Sequence, residues 1–310
     1  MRRLLLKFFL LGFVGCSSAT PVPPHASGRA SAERTSPTSP ESQHGISLTY
    51  LGVAGWHVLA GEYSLLLDPY FTRKDPATPE QPLSPDPDAI TRFTPPRAEF
   101  ILVGHSHYDH LLDVPTIAER TRASVVGTES TLNIARAAGI SEARLVHAVP
   151  NQPLALAPFA VRPLASLHSL IGIDSFDIPR NVQLPLRAKD YGEGGTLAYL
   201  VDVNRLSMLF IDTANYIDSA LQGLRPNVLI VAIGLREKVP DYTCRLMKIL
   251  GEPPLVLPNH FDAHWKPVSD RQTPIDPEQL AQAETFATEV RACSPKSKVV
   301  IPQRFQPIPL

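Results

Sequence analysis

The sequence predicts an α/β fold in which two sheets pack face to face with helices on the outside. Two observations carry that expectation. Short apolar strands come first and are then interleaved with amphipathic helices, and this order runs through the chain twice, once over 46–147 and again over 160–301. Layers of that kind bury the apolar face of each sheet and one stripe of each helix. The composition agrees, with 310 residues, 44% hydrophobic content and a net charge of −1, enough chain for a substantial core.

The first fifteen residues, MRRLLLKFFLLGFVG, have a basic start and a short apolar run too brief to span a bilayer. They read as an export signal. The run ends in FVGC, which is similar to the lipobox of bacterial lipoproteins and makes Cys16 the expected lipidated residue. Phe13 departs from the usual leucine, and a plain cleaved signal is the alternative. Residues 16–45 are rich in Ser, Pro and Ala and read as a tether. Without Arg2, Arg3 and Lys7, 26 basic residues face 30 acidic ones, so no basic face for nucleic acid is expected.

The domain proper is expected to span 46–310. Alternation from Ser47 to Val53, turns at Ala54–Gly55 and at Gly61, and the run ending at Asp68 predict three antiparallel strands. Residues 72–96 hold seven prolines and predict a long irregular loop. Strand and helix then alternate through 100–104, 114–121, 124–127, 129–138 and 144–149. The second half predicts strands near 160–167, 196–203, 206–211, 228–232, 255–258 and 298–301, with helices near 215–222, 241–250 and 277–291.

The segment ILVGHSHYDHLLD, residues 101–113, sets His105, His107, Asp109 and His110 directly after an apolar strand. A single histidine there is an ordinary turn residue; four ligand-type residues in the order H-x-H-x-D-H are not. Three more candidates follow apolar strands, namely His168, Asp212 and His260. Each alone reads as a cap or turn residue, but strand ends are also where a rigid backbone fixes metal ligands.

Together these residues resemble the metallo-β-lactamase superfamily over about residues 46–302. The resemblance implies a four-layer αβ/βα sandwich and a metal-dependent hydrolase with two divalent ions, zinc first and Mn²⁺ or Fe²⁺ as alternatives. It assigns His105, His107 and His168 to one metal, Asp109, His110 and His260 to the second, and Asp212 to a bridge. Asp68 matches a residue that supports the ligand loop from behind. Two such cations share a water whose pKa falls from about 15.7 to near 7, and that hydroxide attacks the substrate while Asp109 orients it.

His107 stands where the diiron branch has Glu, which argues against oxygen or nitric oxide reduction. Asp212 stands where some zinc β-lactamases have cysteine, which argues against antibiotic hydrolysis. YLGVAGWHVLAGEYSLLLDPYF and FIDTANY look more like the branch of L-ascorbate-phosphate lactonases and N-acyl phosphatidylethanolamine phospholipase D. An ester, lactone or phosphodiester in a small or lipid-like substrate is therefore expected, at a lipid anchor in the bacterial envelope, most simply the outer membrane facing the periplasm. A non-catalytic envelope protein keeping metal for stability is the alternative.

His264 reads either as a catalytic proton donor or substrate contact, or as a surface histidine. Asp262 reads as a holder of a ligand histidine by its second nitrogen, or as a plain polar residue. His25, His44, His57 and His147 fall outside the set. Residues 169–195, with Phe176 and Tyr191, read as a flap over the metals. Cys244 and Cys293 remain after lipidation of Cys16, lie on neighbouring expected helices, and are predicted to pair in an oxidising compartment.

Overall fold

The structure is a computed structural model that describes residues 45–75, 80–172 and 175–310. The expected export signal, Cys16 and nearly all of the tether lie outside the described residues.

Each half of the domain starts antiparallel and finishes parallel. The first sheet contains β1 (Ile46–Gly52), β2 (Gly55–Ala60), β3 (Tyr63–Leu67), β4 (Phe100–Leu102), β5 (Ser124–Gly127) and β6 (Leu145–His147). The first three run antiparallel and β3 to β6 parallel, as hairpins and helical crossovers respectively require. The second sheet contains β7 (Leu154–Leu156), β8 (Phe159–Ala165), β9 (Leu197–Val203), β10 (Leu206–Ile211), β11 (Val228–Ala232), β12 (Leu255–Asn259) and β13 (Lys298–Val299). Here β7 to β10 are antiparallel and β10 to β13 parallel. The chain then returns, and β14 (Pro307–Pro309) closes the first sheet antiparallel to β1.

Strand alternation decides which core each side chain joins. Leu65, Leu67, Leu102 and Val126 point into the core shared by the two sheets. Their neighbours Leu66, Ile101 and Val125 point the other way, against the helices Val114–Thr121 and Glu129–Ala137. On the second sheet, Leu246 and Met247 of the helix Tyr242–Leu250 and Phe286 and Val290 of the helix Pro277–Cys293 complete the outer layer.

One expectation is corrected. Residues 72–96 are not wholly irregular, because Pro87–Phe93 form a helix whose first turn is capped by the Asp86 side chain and begins with Pro87. Proline is compatible with that position, since its missing N–H would be unpaired there anyway. The three-residue strands β7 and β14 were not expected, being too short to show alternation.

Cys244 on the helix Tyr242–Leu250 and Cys293 at the end of the helix Pro277–Cys293 form a disulfide, with Cα atoms 5.5 Å apart and a sequence separation of 49. Among the described residues no helix is long and apolar enough to cross a membrane.

Candidate metal centre

The seven ligand-type residues are spread over positions 105 to 260, yet the strand ends bring them to one place. His105 follows β4, and His107 caps the short helix Tyr108–Leu111 that carries Asp109 and His110. His168 follows β8, Asp212 follows β10 and His260 follows β12. Their donor atoms form three overlapping groups: His105, His107 and His168; His105, His110 and Asp212; and Asp109, His110 and His260. Within each, all ligand atoms lie within 4.8 Å of one another.

The hydrogen bonds orient the rings. His105 Nδ1 lies 2.6 Å from Asp212 Oδ2, which leaves Nε2 facing His107 Nδ1 at 3.1 Å. His168 Nδ1 lies 2.8 Å from the Ser169 carbonyl, so its Nε2 is the free nitrogen. A carbonyl or carboxylate on one imidazole nitrogen fixes the tautomer that offers the other as a lone pair. Gly104 lets this happen: a side chain there would collide with the Asp212 carboxylate.

Burial and the neighbouring charges shift the titrations of the nest in both directions. Burial, followed by the neighbouring imidazoles, holds His105 well below its ordinary pKa. His107 falls to about 4 and His168 is also lowered, in both cases mainly by burial. Burial pushes Asp212 up to about 7. For Asp109 burial acts upward, but His110, His260 and His264 outweigh it and keep the carboxyl well below the usual range. For His260 burial acts downward and the Asp109 carboxylate wins, so its pKa is raised.

The donor set fits metal on a further observation. His110 Nδ1 and Asp212 Oδ1 are buried without a hydrogen-bond partner among the described residues. His110 Nδ1 sits 3.3 Å from Asp68 Oδ2, outside hydrogen-bonding geometry. Buried polar atoms are normally paired, and a buried carboxylate oxygen of Asp212 left without a donor, in a cluster with five imidazoles and a second carboxylate, is what a cation would satisfy.

Asp68 stands behind the loop. Its Oδ1 accepts from the Gly104 backbone N–H at 2.8 Å, and burial, with Asp212 next, raises its pKa well above the carboxylate range. His264 faces the cluster, with Nδ1 4.0 Å from Asp109 Oδ2 and its ring against Tyr108 and Trp265.

Asp262 requires correction, because it holds no ligand histidine. Its carboxylate accepts from Tyr50 Oη (2.7 Å), Val53 N (2.6 Å), Arg73 (3.2 Å) and Arg304 (2.8 Å), in full burial. Arg73 also reaches the Ala263 carbonyl at 2.7 Å, and His260 N donates to the Val53 carbonyl at 2.7 Å. The two arginines and the carboxylate thus pin the segment that carries His260 and His264. Sequence reasoning missed Arg73 and Arg304, and it also missed Asp113, whose carboxylate accepts from Phe71 N, Thr72 N and the Thr72 hydroxyl. Asp113 closes the H-x-H-x-D-H-L-L-D run, which was the one available signal. His57 pairs with Ser64 at 2.7 Å, away from the nest.

The nest lies in a cavity of about 730 Å³. Phe176, Lys189 and Tyr191 of the 169–195 segment line it, together with Leu235, Trp265, Gln279 and Gln282.

Clustered imidazoles and carboxylates at the strand ends of such a sandwich make a candidate metal centre in a metallo-β-lactamase fold. The chain belongs to the beta-lactamase superfamily domain family, which matches residues 63–248. It is similar to the UPF0173 metal-dependent hydrolase of Thermoplasma volcanium, 24% identical over 216 residues that cover 67% of this chain and 82% of the relative. The UPF0173 metal-dependent hydrolase of Pyrobaculum aerophilum is 35% identical over 101 residues, 32% of this chain and only 40% of that relative's length. The solved structure of the metallo hydrolase Igni18 from Ignicoccus hospitalis has the same fold, with a TM-score of 0.57 at 15% identity, covering 86% of this chain and 98% of that one.

Proposed function

We propose that this hydrolase holds two divalent ions, most simply zinc, and cleaves an ester, lactone or phosphodiester at the bacterial envelope, where a lipid on Cys16 anchors it. The observation that carries the two-ion reading is the division of the donors. His105, His107 and His168 would hold one ion, Asp109, His110 and His260 the other, with Asp212 between them. Imidazole with carboxylate donors suits zinc.

Divalent ions there supply Lewis acidity and a water made acidic enough to react near neutral pH. The chain's own residues do the rest. Asp212 and the Ser169 carbonyl fix the tautomers of His105 and His168. Asp109 Oδ2, 3.4 Å from His260 Nε2, orients the attacking water and takes its proton. His264, on the cavity side of Asp109, gives a proton to the departing oxygen. Phe176, Tyr191 and Trp265 limit bulk water at the site.

The test combines metal analysis with turnover of p-nitrophenyl esters, a p-nitrophenyl phosphodiester and simple lactones. Two ions per chain and turnover lost on chelation are expected. Near-native turnover in chelator, or a single ion at saturation, overturns the two-metal reading. For the anchor, Cys16→Ser should abolish lipid labelling and release the protein from membranes; unchanged membrane association refutes lipidation there.

A further inference from the structure

Soluble domains seldom leave large apolar side chains in water without a reason when several gather at one place. Among the described residues nine large apolar side chains are exposed, and three of them, Phe176, Leu235 and Trp265 (43%, 39% and 43% exposed), line the cavity over the metal nest. Leu167 and Leu170, 46% and 53% exposed, bracket His168 in sequence. These residues come from separate segments, following β8, β11 and β12 and within the 169–195 segment, so one amphipathic element does not explain them.

Leu235 adds an independent observation. It sits at φ 65°, a left-handed conformation that costs a leucine free energy and that Gly or Asn would adopt more easily. A large apolar residue that combines this strain with exposure is a candidate for a contact outside the fold. The polar part of the lining is sparse beyond the nest. Lys189 is the single Lys or Arg among the lining residues, and its Nζ is already 2.5 Å from Glu80 Oε1. The cavity therefore offers metal chemistry at its base and a nearly uncharged apolar wall above it.

We infer that Phe176, Leu235 and Trp265 form an acyl-chain subsite, which selects esters carrying a long apolar chain over short or highly charged ones. The inference rests on the hydrolase reading proposed above and narrows its substrate class. In the reaction the acyl C–O bond breaks, the water oxygen ends on the acyl carbon as a carboxylate, one proton goes to the departing alcohol and the other is released to solvent.

The experiment uses the metal-loaded full chain and p-nitrophenyl acetate, butyrate, octanoate and dodecanoate. Burying each methylene is worth about 0.8 kcal/mol at full transfer, so kcat/KM is expected to rise by up to about 4-fold per carbon and by at least about 100-fold from acetate to dodecanoate. Trp265→Ala and Leu235→Asn should cut the dodecanoate-to-acetate ratio about 10-fold or more, and Leu235→Asn should fold at least as well as the parent because Asn tolerates the left-handed conformation. A second readout is independent of turnover. The sequence has two tryptophans, Trp56 is fully buried, and Trp265 is the exposed reporter. Dodecanoate should shift the emission to the blue, acetate should not, and Trp265→Phe should remove the response. A flat chain-length profile, or variants that keep the parent ratio, overturns the subsite. A blue shift with dodecanoate in a protein that hydrolyses no substrate keeps the subsite and overturns the hydrolytic reading instead.

Discussion

Replacing Asp262 by Ala tests the clamp behind the metal nest. The carboxylate is fully buried and faces two guanidinium groups whose side chains are only 2% and 6% exposed. Its removal leaves both charges facing each other without a counter-ion, and strips Val53 N of its acceptor. Breaking a buried pair typically costs about 3–5 kcal/mol, and here two cations lose the same partner. Partial compensation remains, since Arg73 keeps the Ala263 carbonyl and Arg304 keeps the carbonyls of Thr273 and Pro274. A loss of about 4 kcal/mol is expected, or about 8–16 °C in melting temperature for a domain of this size. The assay is denaturant unfolding of parent and variant under chelation, so that metal linkage does not enter, followed by zinc affinity by competition. Because the clamp fixes the segment with His260, affinity should fall about 10-fold or more. The triple variant Arg73→Met, Arg304→Met, Asp262→Ala removes every charge and should recover most of the stability while leaving the zinc affinity low. A single-variant loss below about 1 kcal/mol with parental zinc affinity refutes the clamp.

Other perturbations have equally definite outcomes. The double variant His107→Ala with His110→Ala should lose metal and turnover while its circular dichroism stays native, since both residues lie beyond the strand on a short loop and helix. His57, lowered to about 4 chiefly by burial, binds its proton less well folded than unfolded; its penalty is absent above pH 6.5, grows as pH falls, and is complete below about 4. His57→Gln should therefore flatten the stability slope between those limits by at most about 3 kcal/mol, measured as the difference in denaturant midpoints of the two chelated proteins. Gly52→Ala places a methyl against the Arg73 guanidinium at φ 100°, and should destabilise by about 1–3 kcal/mol in the same unfolding assay. Reducing the Cys244–Cys293 disulfide opens a loop of 49 residues and should cost about 2–4 kcal/mol, read as the shift in midpoint with and without reductant.

The parts of this fold that were legible in the sequence are those whose cause is local. Strands β10 and β11 announce themselves through continuous apolar runs, and the H-x-H-x-D-H cluster through its density alone. The helix Pro87–Phe93 was hidden because its proline signals both a loop and a first helical turn, and only the Asp86 cap distinguishes them. Asp262 was misread for a related reason. Its position beside His260 suggests a bond to that ring, whereas its true partners are at positions 50, 53, 73 and 304, which no local pattern connects. The exposed apolar wall of the cavity was likewise invisible, because residues 176, 235 and 265 meet only after both sheets have formed.

The return of the chain at β14 has a kinetic consequence. Leu310 N bonds to the Ile46 carbonyl, Phe305 N bonds to the Tyr50 carbonyl, and Arg304 reaches Asp262. The first two of these contacts join regions separated by about the whole length of the domain, the kind of closure whose entropy is recovered late in folding. A nascent chain still lacking its last residues has its first strand unpaired on one edge and an acidic clamp short of one arginine. The histidine that follows β12 is therefore held firmly only once the last strand has docked, which makes completion of the candidate metal centre a late event in folding.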